Sequence, residues 1–98
     1  MIRDNSIEWL CLWYKNNCNG DWEHNYGISI ETIDNPGWSI TIDIEGTDIN
    51  IPDINWQFFE NGPDDWYGYK LENGKFEASG DPNKLEFIIS LFKDLIGP

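Results

Sequence analysis

Between Ile28 and Ile44 apolar residues recur at every second position, a pattern that leaves the middle of this chain little choice of structure. Ile28 and Ile30 alternate with Ser29 and Glu31; further on, Trp38, Ile40, Ile42 and Ile44 alternate with Ser39, Thr41, Asp43 and Glu45. Successive side chains of a strand point to opposite faces, so each run has one apolar face that needs a cover. Asp34-Asn35-Pro36-Gly37 separates the runs, with Pro36 presetting φ at the second turn position and Gly37 taking φ > 0 at the third. The segment reads as an antiparallel hairpin with one face toward water. Residues 66–71 and 75–78 form a second hairpin around Asn73-Gly74, the turn pair that two-residue connections favour. Residues 48–60 are less regular: Ile49, Ile51 and Ile54 read as a strand interrupted by Pro52, and residues 56–59 as another short one, with a loop over 61–65.

Both ends of the chain switch to helical spacing. Residues 5–17 carry Ile7, Leu10, Cys11 and Tyr14 at i, i+3, i+4, i+7, with Trp9 and Trp13 as a second aromatic pair; Asn5 is placed to cap, with Glu8 three residues on. The run of residues 16–20, three Asn, a Cys and a Gly, stops it. At the other end Asp81 is placed as N-cap with Pro82 in the first helical position. Leu85, Ile88, Ile89, Phe92, Leu95 and Ile96 then make a stripe that ends at Gly97-Pro98. Each helix must bury its stripe on the apolar side of the sheet. The predicted architecture is a two-layer α+β domain: an antiparallel sheet of four to six strands, with an N-terminal and a C-terminal helix packed on one face.

The 98 residues are the size of one domain, 1–98, with a single core. No apolar run approaches the roughly 18 residues that span a bilayer, and the first residues lack a signal-peptide pattern, so a cytoplasmic protein is expected. The two cysteines, Cys11 and Cys18, would sit about 10 Å apart along one helix, too far to bridge; reduced thiols follow, with Cys11 as a small core hydrophobe.

Charge is distributed unevenly. Eighteen Asp and Glu oppose six Lys and Arg, for a net charge of −12, and no Lys or Arg occurs between Lys15 and Lys70, an interval that holds eleven carboxylates. Such a field disfavours nucleic acid and anionic membrane, both of which bind through cationic patches, and suits a basic protein partner.

The sequence is poor in catalytic patterns. His24 is the only histidine, and Asp21, Glu23 and His24 lack the spacing of zinc ligands, so neither metal nor cofactor is expected. Phosphate-cradling glycine motifs are absent, and the serines and Cys18 have no accompanying oxyanion-hole pattern. What stands out is aromatic residues beside acids: Asp21-Trp22-Glu23-His24, Pro36-Gly37-Trp38 and Asp64-Asp65-Trp66-Tyr67. Trp and Tyr anchors with a charged surround are the composition of protein interfaces, although each tryptophan also fits a core position with its indole N–H on a loop carbonyl.

Taken together, Trp9 to Tyr14, Gly20-Asp21-Trp22-Glu23-His24 followed by Tyr26-Gly27, residues 31–38 with Asp34-Asn35-Pro36-Gly37-Trp38, and Gly74-Lys75-Phe76-Glu77 leading to the last helix resemble the immunity protein 53 family of bacterial polymorphic-toxin systems. The likeness spans nearly the whole chain. It implies a small α+β cytoplasmic protein, not an enzyme, that binds a cognate toxin domain and blocks it. Charge adds that the toxin is basic, for example a nuclease, whose phosphate site an acidic surface occupies. The candidate toxin-binding residues are Asp21, Glu23, His24, Asp34, Trp38, Asp64, Asp65 and Trp66, on a monomer or weak homodimer. Trp22 and Gly20 are expected to fix the helix-to-strand turn; Asp21, Glu23 and His24 are either structural hydrogen-bonders or part of the binding face. The rival readings are an acidic regulatory module for another basic protein and a small hydrolase using a carboxylate pair.

Overall fold

The computed structural model describes residues 5–97. The element order is α1 (Ser6–Asn17), α2 (Trp22–Asn25), β1 (Ile28–Ile33), β2 (Gly37–Asp43), β3 (Ile54–Gly62), β4 (Asp65–Glu72), β5 (Lys75–Gly80) and α3 (Leu85–Ile96). All strand pairs are antiparallel, in the order β1-β2-β5-β4-β3, with α1 and α3 layered on one face. This is the α+β architecture expected from the period-two centre and the helical ends.

Register follows the alternation. Ile42, Phe76 and Leu71 align across β2, β5 and β4, and Ile40 aligns with Ala78 and Tyr69, so one face of the three central strands is apolar throughout. Ile88, Ile89 and Phe92 of α3 close over it, and Leu10 of α1 joins the same core. The Asn73-Gly74 turn has φ of 54° and 76°, the left-handed pair that a two-residue hairpin needs.

Several expectations need correction. Asn5 does cap α1, accepting the Glu8 N–H at 2.9 Å, but the buried face is Ser6, Trp9, Leu10 and Trp13 rather than the Ile7 stripe. Cys11 is exposed, and Ile7 and Tyr14 leave 43% and 39% of their surfaces in solvent. Two stripes with the same spacing competed, and the indole-rich one won by area: Trp13 meets Phe92 edge-on at 5.0 Å and Trp9 meets it at 5.9 Å. Gly37 is not a left-handed turn residue; it opens β2 opposite Ile33, and its φ is not positive. A Cβ there would collide with the Gly80 carbonyl and press on the Trp66 ring, so absence of a side chain is what the position requires.

Residues 48–53 form no strand. They belong to the crossover that carries the chain from β2 past the β4–β5 turn, where the N–H groups of Ile44 and Glu45 bond the Gly74 carbonyl. Ile49 and Ile51 pack against the core from this loop, which explains their apolar spacing without strand pairing. The two short segments expected at 49–59 are replaced by one strand, β3, which runs to Gly62 and turns through Pro63-Asp64. α3 starts at Leu85, not Pro82, and Asp81 is not its cap: its carboxylate serves the Pro82-Asn83 turn and β4 instead.

Candidate functional site

The sheet brings distant acids to one end. Trp38 of β2, Gly80 of β5 and Tyr67 of β4 lie in one row, so the β1–β2 turn with Asp34, the β3–β4 turn with Asp64 and Asp65, and the segment after β5 with Asp81 share an edge of the molecule. Trp38 and Trp66 stand beside them on opposite faces: Trp38 on the helix face with Ile40, Trp66 on the outer face with Gly68. Five of the eight sequence-derived positions thus meet here.

Asp81 holds this end together. It is fully buried, its Oδ2 accepts from the Trp66 N–H at 3.0 Å and from Lys84 Nζ at 2.7 Å, and its Oδ1 accepts from the Asn83 N–H at 2.9 Å. Lys84 Nζ also reaches Asp65 Oδ1 at 2.6 Å, and the Trp38 indole donates to the Pro82 carbonyl at 3.0 Å. Burial pushes the Asp81 carboxyl up, yet the Lys84 hydrogen bond and the two N–H donors outweigh it and hold the group below its usual range. The Lys84 hydrogen bond, with help from Asn61, lowers Asp65 too. Asp81 is a structural clamp, its charge spent on Lys84 and two backbone donors, while the Asp65 side chain keeps 55% of its surface in solvent.

Asp21, Glu23 and His24 lie at the opposite end, about 20 Å away at the rise of an extended strand. Glu23 and His24 belong to α2 and Asp21 precedes it; α2 is a single helical turn tied to the β4–β5 turn end through the Trp22 indole, which donates to the Glu45 carbonyl at 2.9 Å. Glu23 folds back so that its two oxygens accept from the N–H groups of Asn19 at 2.9 Å and Gly20 at 2.8 Å. Its own backbone N–H, then these two donors and His24, lower its carboxyl below the usual range against a burial penalty. Gly20 takes a φ of 91°, and Trp22 is buried against Trp13 and Tyr14, so both fix this turn. Asp21 and His24 are exposed, and among the described residues no cluster of three or more His, Cys, Asp or Glu is placed to hold a metal ion.

Of the eleven carboxylates between Lys15 and Lys70, three, Glu23, Asp43 and Asp65, hold backbone or lysine partners. The other eight are exposed and enter no ion pair among the described residues. They are divided between the two ends of the sheet rather than joined in one stripe.

A second surface was missed from sequence. On the outer face, away from the helices, Trp56 lies over Gly68 so closely that a Cβ there would strike its ring. Phe58 and Trp66 sit beside it with ring centres 6.4 Å apart, and Trp66 extends toward Gly37. At the same edge of the helix face Phe59 stacks on Tyr67 at 4.9 Å and Tyr67 meets Phe87 at 4.7 Å. The signal was present in the contiguous Trp-Gln-Phe-Phe run, whose aromatic residues fall on both faces of a strand and cannot all be buried.

The sequence profile of a family described as immunity protein 53 matches residues 7–97. No curated protein and no solved structure matches the chain.

Proposed function

The chain belongs to the immunity protein 53 family, and from that premise we propose that it neutralises a cognate bacterial polymorphic toxin domain by binding it and occluding its active site, without chemistry of its own. Family membership over nearly the full chain carries this reading. The toxin domain is basic, in keeping with the eight exposed carboxylates that enter no ion pair among the described residues, and a nuclease is the favoured class. An enzyme that holds phosphate offers cationic groups which carboxylates satisfy with charge-assisted hydrogen bonds. The clamp of Asp81, Lys84 and Asp65 supports a preorganised surface, since groups already fixed lose little freedom on binding.

Co-expression tests the function directly. The toxin domain encoded beside this chain should arrest growth when expressed alone and be tolerated when both are present. Arrest that persists despite soluble, folded protein would rule the reading out.

A further inference from the structure

β3 is an edge strand that no element among the described residues covers. Residues 55–61 are exposed without interruption, and Trp56, Phe58 and Phe59 leave 50%, 51% and 45% of their surfaces in solvent. Natural edge strands are blunted by short length, lysine or proline. β3 has nine residues and none of either kind; register shifts at Ile54/Gln57 and Glu60/Gly62 interrupt its pairing with β4 but leave its aromatic residues exposed. The opposite edge, β1, has six residues and shows solvent mainly Ser29, Glu31 and Thr32, with Ile30 as its one exposed large apolar residue. An exposed aromatic cluster on one edge of an otherwise guarded sheet marks an interface.

We propose that β3, with Trp56 and Phe58 on the outer face as anchors, is the surface that docks the basic toxin domain; this rests on the function proposed above and names where the partner sits. Charge selects the occupant. The lysines beside the patch are each held between two carboxylates: Lys70 by Glu72 at 3.2 Å and Glu77 at 3.5 Å, Lys84 by Asp65 at 2.6 Å and Asp81 at 2.7 Å. Asp53, Glu60 and Asp64, at the two ends of β3 and in its turn, enter no ion pair among the described residues. The result is an aromatic centre with an anionic rim, the layout in which buried anchors supply affinity and rim charges steer the encounter. A second copy of this chain would bring another net charge of −12 against that rim. Nine residues at about 3.3 Å each span about 30 Å, the breadth of one side of a standard interface of about 800 Å² per partner. Asp64, Asp65 and Trp66 adjoin this surface through the β3–β4 turn, whereas Asp21, Glu23 and His24 fall outside it.

Binding of the toxin domain encoded beside this chain, measured on purified proteins, separates the possibilities. A Trp56→Ser/Phe58→Ser variant should lose affinity by about a hundredfold or more while keeping a cooperative melting transition, and Asp21→Asn/His24→Gln should stay within about threefold of the wild type. Because Trp56 rests on Gly68, a Glu60→Lys/Asp64→Lys variant at exposed positions gives an independent reading and should weaken binding by at least about tenfold at low salt. Wild type that binds alongside a folded aromatic variant, or a lysine variant, of equal affinity would overturn the surface while leaving the function standing. Wild type that fails to bind the domain would remove both. Sedimentation showing a wild-type dimer that the aromatic variant abolishes would reassign the surface to a second copy of the chain and overturn the proposal.

Discussion

Asp81 is the residue on which the acidic end of the sheet depends. The sequence reads it as a helix cap, and the structure gives it a different task because a tertiary contact brings the Trp66 N–H to a carboxylate that local sequence places near Asn83 and Lys84. Removing the charge leaves Lys84 half-partnered and two donors weakly served, so Asp81→Asn should cost about 3 kcal/mol of unfolding free energy in denaturant titration. The pH dependence has a definite sign. A carboxyl held below its ordinary value of 3.8 contributes its full stabilisation above that pH and loses it as pH falls through the folded value. Lys84, raised above 10.5 chiefly by its hydrogen bonds to Asp65 and Asp81, contributes below that pH and loses it as pH rises through its own folded value. The gap between wild type and Asp81→Asn should therefore be flat across neutral pH and close below about 3.8 and above about 10.5. A gap unchanged at low pH would remove the charge from the explanation. Gly37 shows the same limit of local reading: a glycine after proline signals a turn, and only the approach of Gly80 and Trp66 across strands reveals why a side chain is excluded.

Among the elements, α3 was the plainest from sequence, since its six-residue stripe dominates the segment and the core receives its Ile88, Ile89 and Phe92. α1 was ambiguous by nature. Two overlapping stripes satisfied the same period, and the choice between them was made by Phe92 of a helix some eighty positions away. The two faces are separable by experiment. Trp13→Ala, which removes contacts to Phe92 and Trp22, should lower unfolding free energy by about 3 kcal/mol, whereas Cys11→Ser on the exposed side should change it by less than about 0.5 kcal/mol. Equal effects would return the buried face to the Ile7 stripe. β3 was read only in part, as residues 56–59, for a related reason: the apolar loop residues Ile49 and Ile51 looked like strand, while the true strand begins at Ile54 and has no uniformly polar face.

At the scale of the whole molecule, width decides what is covered. Five strands at about 4.8 Å make a sheet about 24 Å across, and two helices about 10 Å apart cover little more than 20 Å. α3 lies over β2 and β5 with α1 at its side, so Phe59 on the β4–β3 margin of the helix face stays half in solvent, while Trp56 and Phe58 are on the outer face, where no described helix packs. Around that margin the net charge of −12 sets a long-range field. Association with a basic toxin domain should therefore approach about 10⁸ M⁻¹s⁻¹ at low salt and slow by about tenfold or more in 0.5 M salt, as screening shortens from about 10 Å at 0.1 M toward 3 Å at 1 M. An association rate indifferent to salt would end the electrostatic part of the proposal while leaving the aromatic anchors to their own test. The sequence by itself determined the α+β class, the hairpins, the Asn5 cap, the stripe of α3 and the anionic field, because each depends on neighbours within a few residues or on a sum over the chain. Which face of α1 is buried, why Gly37 has no side chain, what Asp81 binds and which strand is left bare were decided only by the tertiary structure. Each of these depends on groups far apart in the chain meeting in space, and on which face of the five-stranded sheet the two helices close over.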